Sequence, residues 1–169
     1  MLLYYRSVKS LVKWKDGKRQ SSIESSEDKR RCLKDVVEGT GNPSIWLFRN
    51  NEDLERIALG MLLSKGHLES INLIGFQEIC FTEAGLEIQH SPNSQFPIYT
   101  VGELHYELLG CNDEAKCFSS INKFAKCFGD FKHFPKANLD EENNMRNIAK
   151  RYASEVGESH KNKLQSWLK

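Results

Sequence analysis

Long apolar stretches are missing from this chain. The longest, Ile57 to Leu63, falls far short of the roughly 20 residues that a helix needs to cross a bilayer. Met1-Leu2-Leu3-Tyr4-Tyr5-Arg6 lacks the basic region and long apolar run of a secretory leader, so none is expected. Proline is scarce, and two of the four prolines sit in Ser91-Pro92-Asn93-Ser94-Gln95-Phe96-Pro97, which marks that stretch as a loop. No CxxC occurs, and the five cysteines (Cys32, Cys80, Cys111, Cys117, Cys127) are an odd number that cannot all pair within the chain. Reduced thiols in a cytoplasmic protein are the expectation. The Walker lysine and the dinucleotide fingerprint are both absent. Gly39-Thr40-Gly41 precedes a strand-like run instead of following one, so it offers no strand–loop–helix cradle for phosphate. Ser119-Ser120 has no flanking glycine elbow, which leaves a serine hydrolase unsupported. No cofactor is expected.

What is present is a well-punctuated strand–helix–strand unit at 44–76. Ser44-Ile45-Trp46-Leu47-Phe48-Arg49 is rich in aromatic and branched residues. Asn50-Asn51 supplies a helix cap, and Glu52 and Asp53 place negative charge in the first turn, where the helix dipole favours it. Leu54, Ile57, Ala58, Met61 and Leu62 then follow at the spacing of one helical face. Gly66 ends the helix, and Ile71 to Phe76 reads as the next strand.

Elsewhere the pattern is less regular. A β-hairpin through Asp16-Gly17, returning along Lys18 to Ile23, fits the first segment. Ser25 and Ser26 with Glu27 and Asp28 resemble a helix start, with Cys32, Leu33, Val36 and Val37 as its apolar stripe. Gln77 to Ala84 reads as a short helix closed by Gly85, feeding a strand at Leu86 to Gln89. Glu103 to Leu108 alternates polar and apolar, which favours a strand, while Val101, Leu104 and Leu108 also fit one helical face. A helix is expected from Asn112 to Phe128, a loop from Asp130 to Ala137, a helix starting at Asp140-Glu141-Glu142, and a last one capped by Ser159. The expected fold is α/β or α+β: a small mixed sheet of about five or six strands, helices packed on it, and a helical C-terminus. The expected division is a single domain over 1–138, carrying a basic hairpin–helix arm at 1–38, and a helical segment over 139–169.

Net charge is only +1, but it is unevenly distributed. Residues 1–34 hold ten basic side chains against four acids, whereas residues 35–139 hold eight against fourteen. Lys9, Lys13, Lys15, Lys29, Arg30, Arg31 and Lys34, with Tyr4, Tyr5 and Trp14 interspersed, form the array that phosphate contacts and base stacking require. The same array also describes an edge hairpin protected by lysines.

Two further constellations carry chemistry. Glu103, His105 and Glu107 would share one face of a strand, where two carboxylates beside an imidazole suit acid–base work or a divalent metal. The solvent face of an antiparallel strand produces the same alternation. Cys111, Cys117, Cys127 and His133 are spaced C-x5-C-x9-C-x5-H. These are zinc-ligand types, but five intervening residues exceed the two to four of a usual zinc knuckle, and free cysteines also serve as small core hydrophobes.

None of the ionisable residues falls into a spacing that a familiar reaction demands, so the sequence reads as a non-catalytic cytosolic binding protein. An acidic body suits a protein partner with a basic surface, as in inhibitor, immunity or accessory proteins. The alternatives are nucleic-acid binding through the basic arm and a small enzyme centred on Glu103, His105 and Glu107. The cysteines give a direct test: five thiols should react in denaturant without prior reduction, and elemental analysis should find no stoichiometric zinc. Zinc released on thiol modification would contradict this.

Overall fold

A computed structural model describes residues 2–9, 25–37, 42–111, 115, 118, 121, 128–137 and 142–169. Its strands are β1 (Leu3–Val8), β2 (Ser44–Leu47), β3 (Ile71–Gln77), β4 (Glu87–His90), β5 (His105–Leu109) and β6 (Phe128–Phe134). Among the described residues its helices are α1 (Ser26–Val37), α2 (Asn51–Lys65), α3 (Glu78–Glu83), α4 (Met145–Arg151) and α5 (Glu158–Leu168), and residues 115, 118 and 121 are helical as well. The strands form one open six-stranded sheet in the order β4-β5-β2-β1-β3-β6, an α+β arrangement, which is one of the two, α/β or α+β, expected from the sequence. The contacts divide the chain into two interleaved units. One comprises residues 1–47, 72–91 and 106–132, and the other 48–71, 92–105 and 133–169.

In the first unit, β1 lies between β2 and β3 and is antiparallel to both, with Tyr5 opposite Trp46 on one side and Gly75 on the other. β2 and β3 therefore run in the same direction with a strand inserted between them. This revises the expectation of an N-terminal arm for residues 3–8. Their aromatic and branched side chains suit a pleated interior position, and Tyr4, Tyr5 and Val8 are buried. The hairpin through Asp16-Gly17, together with Lys13 and Lys15, lies outside the described residues.

Side chains alternate across a strand, so Tyr4 and Val8 of β1, Ile45 of β2, Ile74 and Phe76 of β3 and Leu108 of β5 share one face. They form one buried cluster with Cys32 of α1, Cys80 and Phe81 of α3, and Cys111 and Ile121. Tyr4 meets Phe81 and Tyr106 edge-on, at centroid distances of 6.5 and 5.3 Å. α1 starts as its sequence suggests, with the Ser25 hydroxyl accepting from the Asp28 N–H at 2.9 Å. Two expectations change, the first in this unit and the second in the other. The segment from Phe128, assigned to the end of a helix and a loop, is strand β6. The segment expected as a strand from Glu103 begins as a 3-10 turn, Tyr99–Leu104.

The second unit is built around α2. Asn50 caps it, accepting from the Asp53 N–H at 2.8 Å, and Gly66 ends it at φ 93° with its N–H on the Leu62 carbonyl. That left-handed backbone suits glycine, which has no Cβ to clash. The sequence shows one apolar face, yet Leu54, Ile57, Ala58, Leu59, Gly60, Leu62 and Leu63 are all buried, leaving Met61 half-covered. α2 packs on α4, α5 and the 3-10 turn. A Cβ at Gly60 would lie 2.2 Å from the Phe96 ring, and one at Gly102 would lie 2.4 Å from the Asn93 carbonyl oxygen. Both approaches therefore need glycine. α4 begins at the Asn144 cap instead of at Asp140, and Gly157, not Ser159, precedes α5.

Ile57 and Leu62 are almost wholly covered. Replacing either by alanine should lower stability by about 2–5 kcal/mol in denaturant unfolding. A loss under about 0.5 kcal/mol would mean that the helix does not pack in this way.

Candidate functional site

The largest assembly of charged groups lies in the second unit, where the first half of α2 meets α4 and the turn after it. Glu55 is buried and accepts from Arg151 Nη1 at 2.6 Å and from the Tyr152 hydroxyl at 2.8 Å. One residue on, Arg56 grips Glu155 with two parallel bonds, Nε to Oε2 at 2.9 Å and Nη2 to Oε1 at 3.0 Å. Such forked geometry is the strong form of an arginine–carboxylate pair. The Arg56 guanidinium also lies 4.3 Å from the centroid of the Tyr152 ring, within the range of a cation–π contact. Thr100 donates to Glu155 at 3.0 Å, while Arg49 holds Asp53 at 2.8 Å. The Glu155 hydrogen bond is the main influence holding the Arg56 pKa above its usual value. Burial, then the Glu55 bond, raises the Tyr152 phenol, although the two arginines pull it back. Each carboxylate named here thus has a cation or hydroxyl to stabilise it.

In the first unit the Tyr5 hydroxyl donates to Asp130 Oδ2 at 2.8 Å, reaching from β1 across β3 to β6. The crossing point is Gly75, where a Cβ would stand only 3.1 Å from Tyr5 Cζ and 3.2 Å from Leu3 Cδ1. Asp130 Oδ1 accepts from the Phe131 N–H at 2.7 Å, and Lys132 stands 3.4 Å from Oδ2. Burial favours the neutral acid, but Tyr5, the Phe131 N–H and Lys132 outweigh it and lower the Asp130 pKa. Burial, reinforced by Asp130, pushes the Tyr5 phenol well above its normal 10, and burial with the Glu78 charge pushes Tyr4 up to about 12.

The residues singled out from sequence are dispersed in role. Glu103 is exposed and closes the 3-10 turn, so it is not on the strand. His105 is the buried first residue of β5. Glu107 is half-buried and accepts from Asn42 at 3.1 Å and Ser91 at 3.3 Å. The strand starts late because Val101 and Leu104, three apart, are both buried on the turn. Cys111 is buried and His133 exposed, while Cys117 and Cys127 lie outside the described residues. Among the described residues, no three His, Cys, Asp or Glu side chains gather as a metal site requires. Lys9 and Arg30 are exposed, Lys29 is half-covered, Arg31 pairs with Glu27, and the Lys34 side chain lies outside the description. The stacking role considered for Tyr4 and Tyr5 is withdrawn, because both rings are sealed in the sheet at 2% and 1% exposure. Among the described residues, no helix is long and apolar enough to cross a membrane.

Sequence reasoning missed the Glu55–Arg151–Tyr152 and Arg56–Glu155 groups, whose members are nearly 100 positions apart. The local signals were the helical spacings of Arg49 with Asp53 and of Arg56 with Glu52 and Asp53. Comparison with known proteins finds no match: no family model, no curated protein and no solved structure is significantly similar to this chain.

Three of the five tyrosines therefore hold their protons longer in the folded state. The stability this confers is complete below the unfolded pKa near 10 and is lost as pH rises through the folded values. Phenolate absorbance from these three should appear only together with alkaline unfolding. Tyr5→Phe should cost about 1–2 kcal/mol at neutral pH and flatten the alkaline decline. Ionisation of these three before unfolding would refute this.

Proposed function

We propose that this chain works by binding a protein partner and not by catalysis, in the manner of inhibitor, immunity or accessory proteins. The supporting observation is how its embedded carboxylates are used. Glu55, Asp53, Asp130 and Glu107 accept hydrogen bonds from groups of the same fold. A general base needs lone pairs aimed at a substrate, whereas carboxylates committed in this way stiffen a scaffold. The scaffold offers an apolar contact at one end of the sheet. Leu2 and Ile79 are 47% and 45% exposed, and the Glu78 N–H donates to the Leu2 carbonyl at 3.0 Å, which holds the two segments side by side. Exposed apolar side chains that sit together mark contact surfaces more often than isolated ones do.

A photo-crosslinking residue at position 79, used in the cells that make the protein, should capture a protein partner. With that partner purified, Leu2→Lys combined with Ile79→Lys should weaken binding by about tenfold or more without altering the thermal midpoint. Unchanged affinity would remove this surface from the interface.

The second reading, nucleic-acid binding, is favoured by Lys29 and Arg30, which have no acidic partner among the described residues. If it holds, affinity should fall with salt with a log–log slope of about −4 to −5, for six phosphate contacts. Changing Lys29, Arg30 and Arg31 together to alanine should flatten that slope by about 2–3 units. The preferred reading expects no oligonucleotide binding tighter than about 10⁻⁴ M near physiological salt.

A further inference from the structure

We propose that strand β6 is a self-pairing edge, through which two copies of this chain join their sheets antiparallel about a twofold axis at Phe131. Among the described residues no strand lies outside β6, which ends the sheet order. Its sequence, Phe-Gly-Asp-Phe-Lys-His-Phe, places phenylalanine symmetrically, one at each end and one at the centre. Asp130 and Lys132 flank the central Phe131 and carry opposite charges.

Antiparallel pairing of two identical strands about residue 131 sets Phe131 opposite its own copy and Asp130 opposite Lys132 of the second copy, twice. Directly opposed residues lie on the same face with Cβ atoms about 4.5–5.5 Å apart. Within one chain Lys132 already stands 3.4 Å from Asp130, and the two side chains are 37% and 45% exposed. The paired edge would thus carry four alternating charges in a square, with Asp130 held in place by the Tyr5 hydroxyl. On the opposite face Phe131, 41% exposed, would meet its counterpart.

Charge selects the register. A slip of two residues one way sets Asp130 against Asp130, and a slip the other way sets Lys132 against Lys132. A slip of one residue moves every side chain to the wrong face. A charged residue on an edge usually discourages pairing; here its charge is answered in only one alignment. The contact is isologous and closed, so it stops at a dimer. It does not depend on the surface around Leu2 and Ile79 or on the identity of any other partner.

Sedimentation or light scattering of the full chain at about 10–100 µM should give about 39 kDa, twice the chain mass of 19.5 kDa. Lys132→Asp should weaken the dimer by about tenfold or more while its circular dichroism is unchanged. Mixing it with Asp130→Lys should restore association as a heterodimer, since that pair alone re-opposes unlike charges. Should Asp130→Lys not fold, Phe131→Cys decides the register. With oxidised glutathione it should form a disulfide-linked dimer, because opposed Cα atoms lie within bridging range, whereas Lys136→Cys, far from the axis, should not. A monomer across the concentration range, a dimer indifferent to Lys132→Asp, or a failure of Phe131→Cys to cross-link would overturn the proposal.

Discussion

The sheet depends on the pairing of β1 on both of its edges. Leu3–Val8 supplies the hydrogen-bonding surface for β2 and for β3, which come from positions 44–47 and 71–77. Without it the strands of the 44–76 unit would have no neighbour between them. The side chains follow from this placement. Tyr4 turns into the aromatic and cysteine-lined core, and Tyr5 turns the other way, where Gly75 clears a path to Asp130. A tyrosine hydroxyl bonded to a carboxylate in this way ties β1 to the edge strand β6 across the intervening β3. Gly75 is therefore as much a part of that tie as the two polar groups.

The charged cluster on α2 follows a related logic in the second unit. A helix covered on nearly every side must also bury Asp53 and Glu55, which lie among its leucines. Removing a carboxylate from water is costly unless it is paired and hydrogen-bonded. Arg49, Arg151 and Tyr152 meet that demand, and Arg56 with Glu155 extends it. Buried ion pairs often return little net stability compared with well-packed apolar side chains. What they do impose is a unique alignment of α2 with α4, since a shift of one residue would leave Glu55 without its donors.

Local chemistry made much of this legible from sequence. Asn50, Gly66, Ser25 and Gly85 lie at element ends because capping and left-handed backbone act within a few residues, and the 44–76 unit was readable for that reason. Three segments misled. β6 hides its alternation behind glycine and histidine and follows a helix-like stretch without a break. Glu103 alternates with its neighbours, but Val101 and Leu104 carry the overriding three-residue period. Leu3–Val8 looked like the start of an arm because its centrality comes from pairing with residues 40 to 70 positions away, which no local window contains. The charged clusters were invisible for the same reason. Arg151 and Glu155 give no sign in their own neighbourhood that Glu55 and Arg56 await them.

The placement of β1 has a consequence for synthesis on the ribosome. β1 sits in the interior of the sheet, yet its neighbour β2 is complete only when residue 47, and its neighbour β3 only when residue 77, has emerged from the exit tunnel. The last edge is supplied only when residue 134 follows. Until residue 47 emerges both edges of this aromatic, strand-prone hexapeptide are open, and until residue 77 one of them is, in company with the lysines and arginines that follow it. Their mutual repulsion discourages nascent chains from pairing with one another while β1 waits.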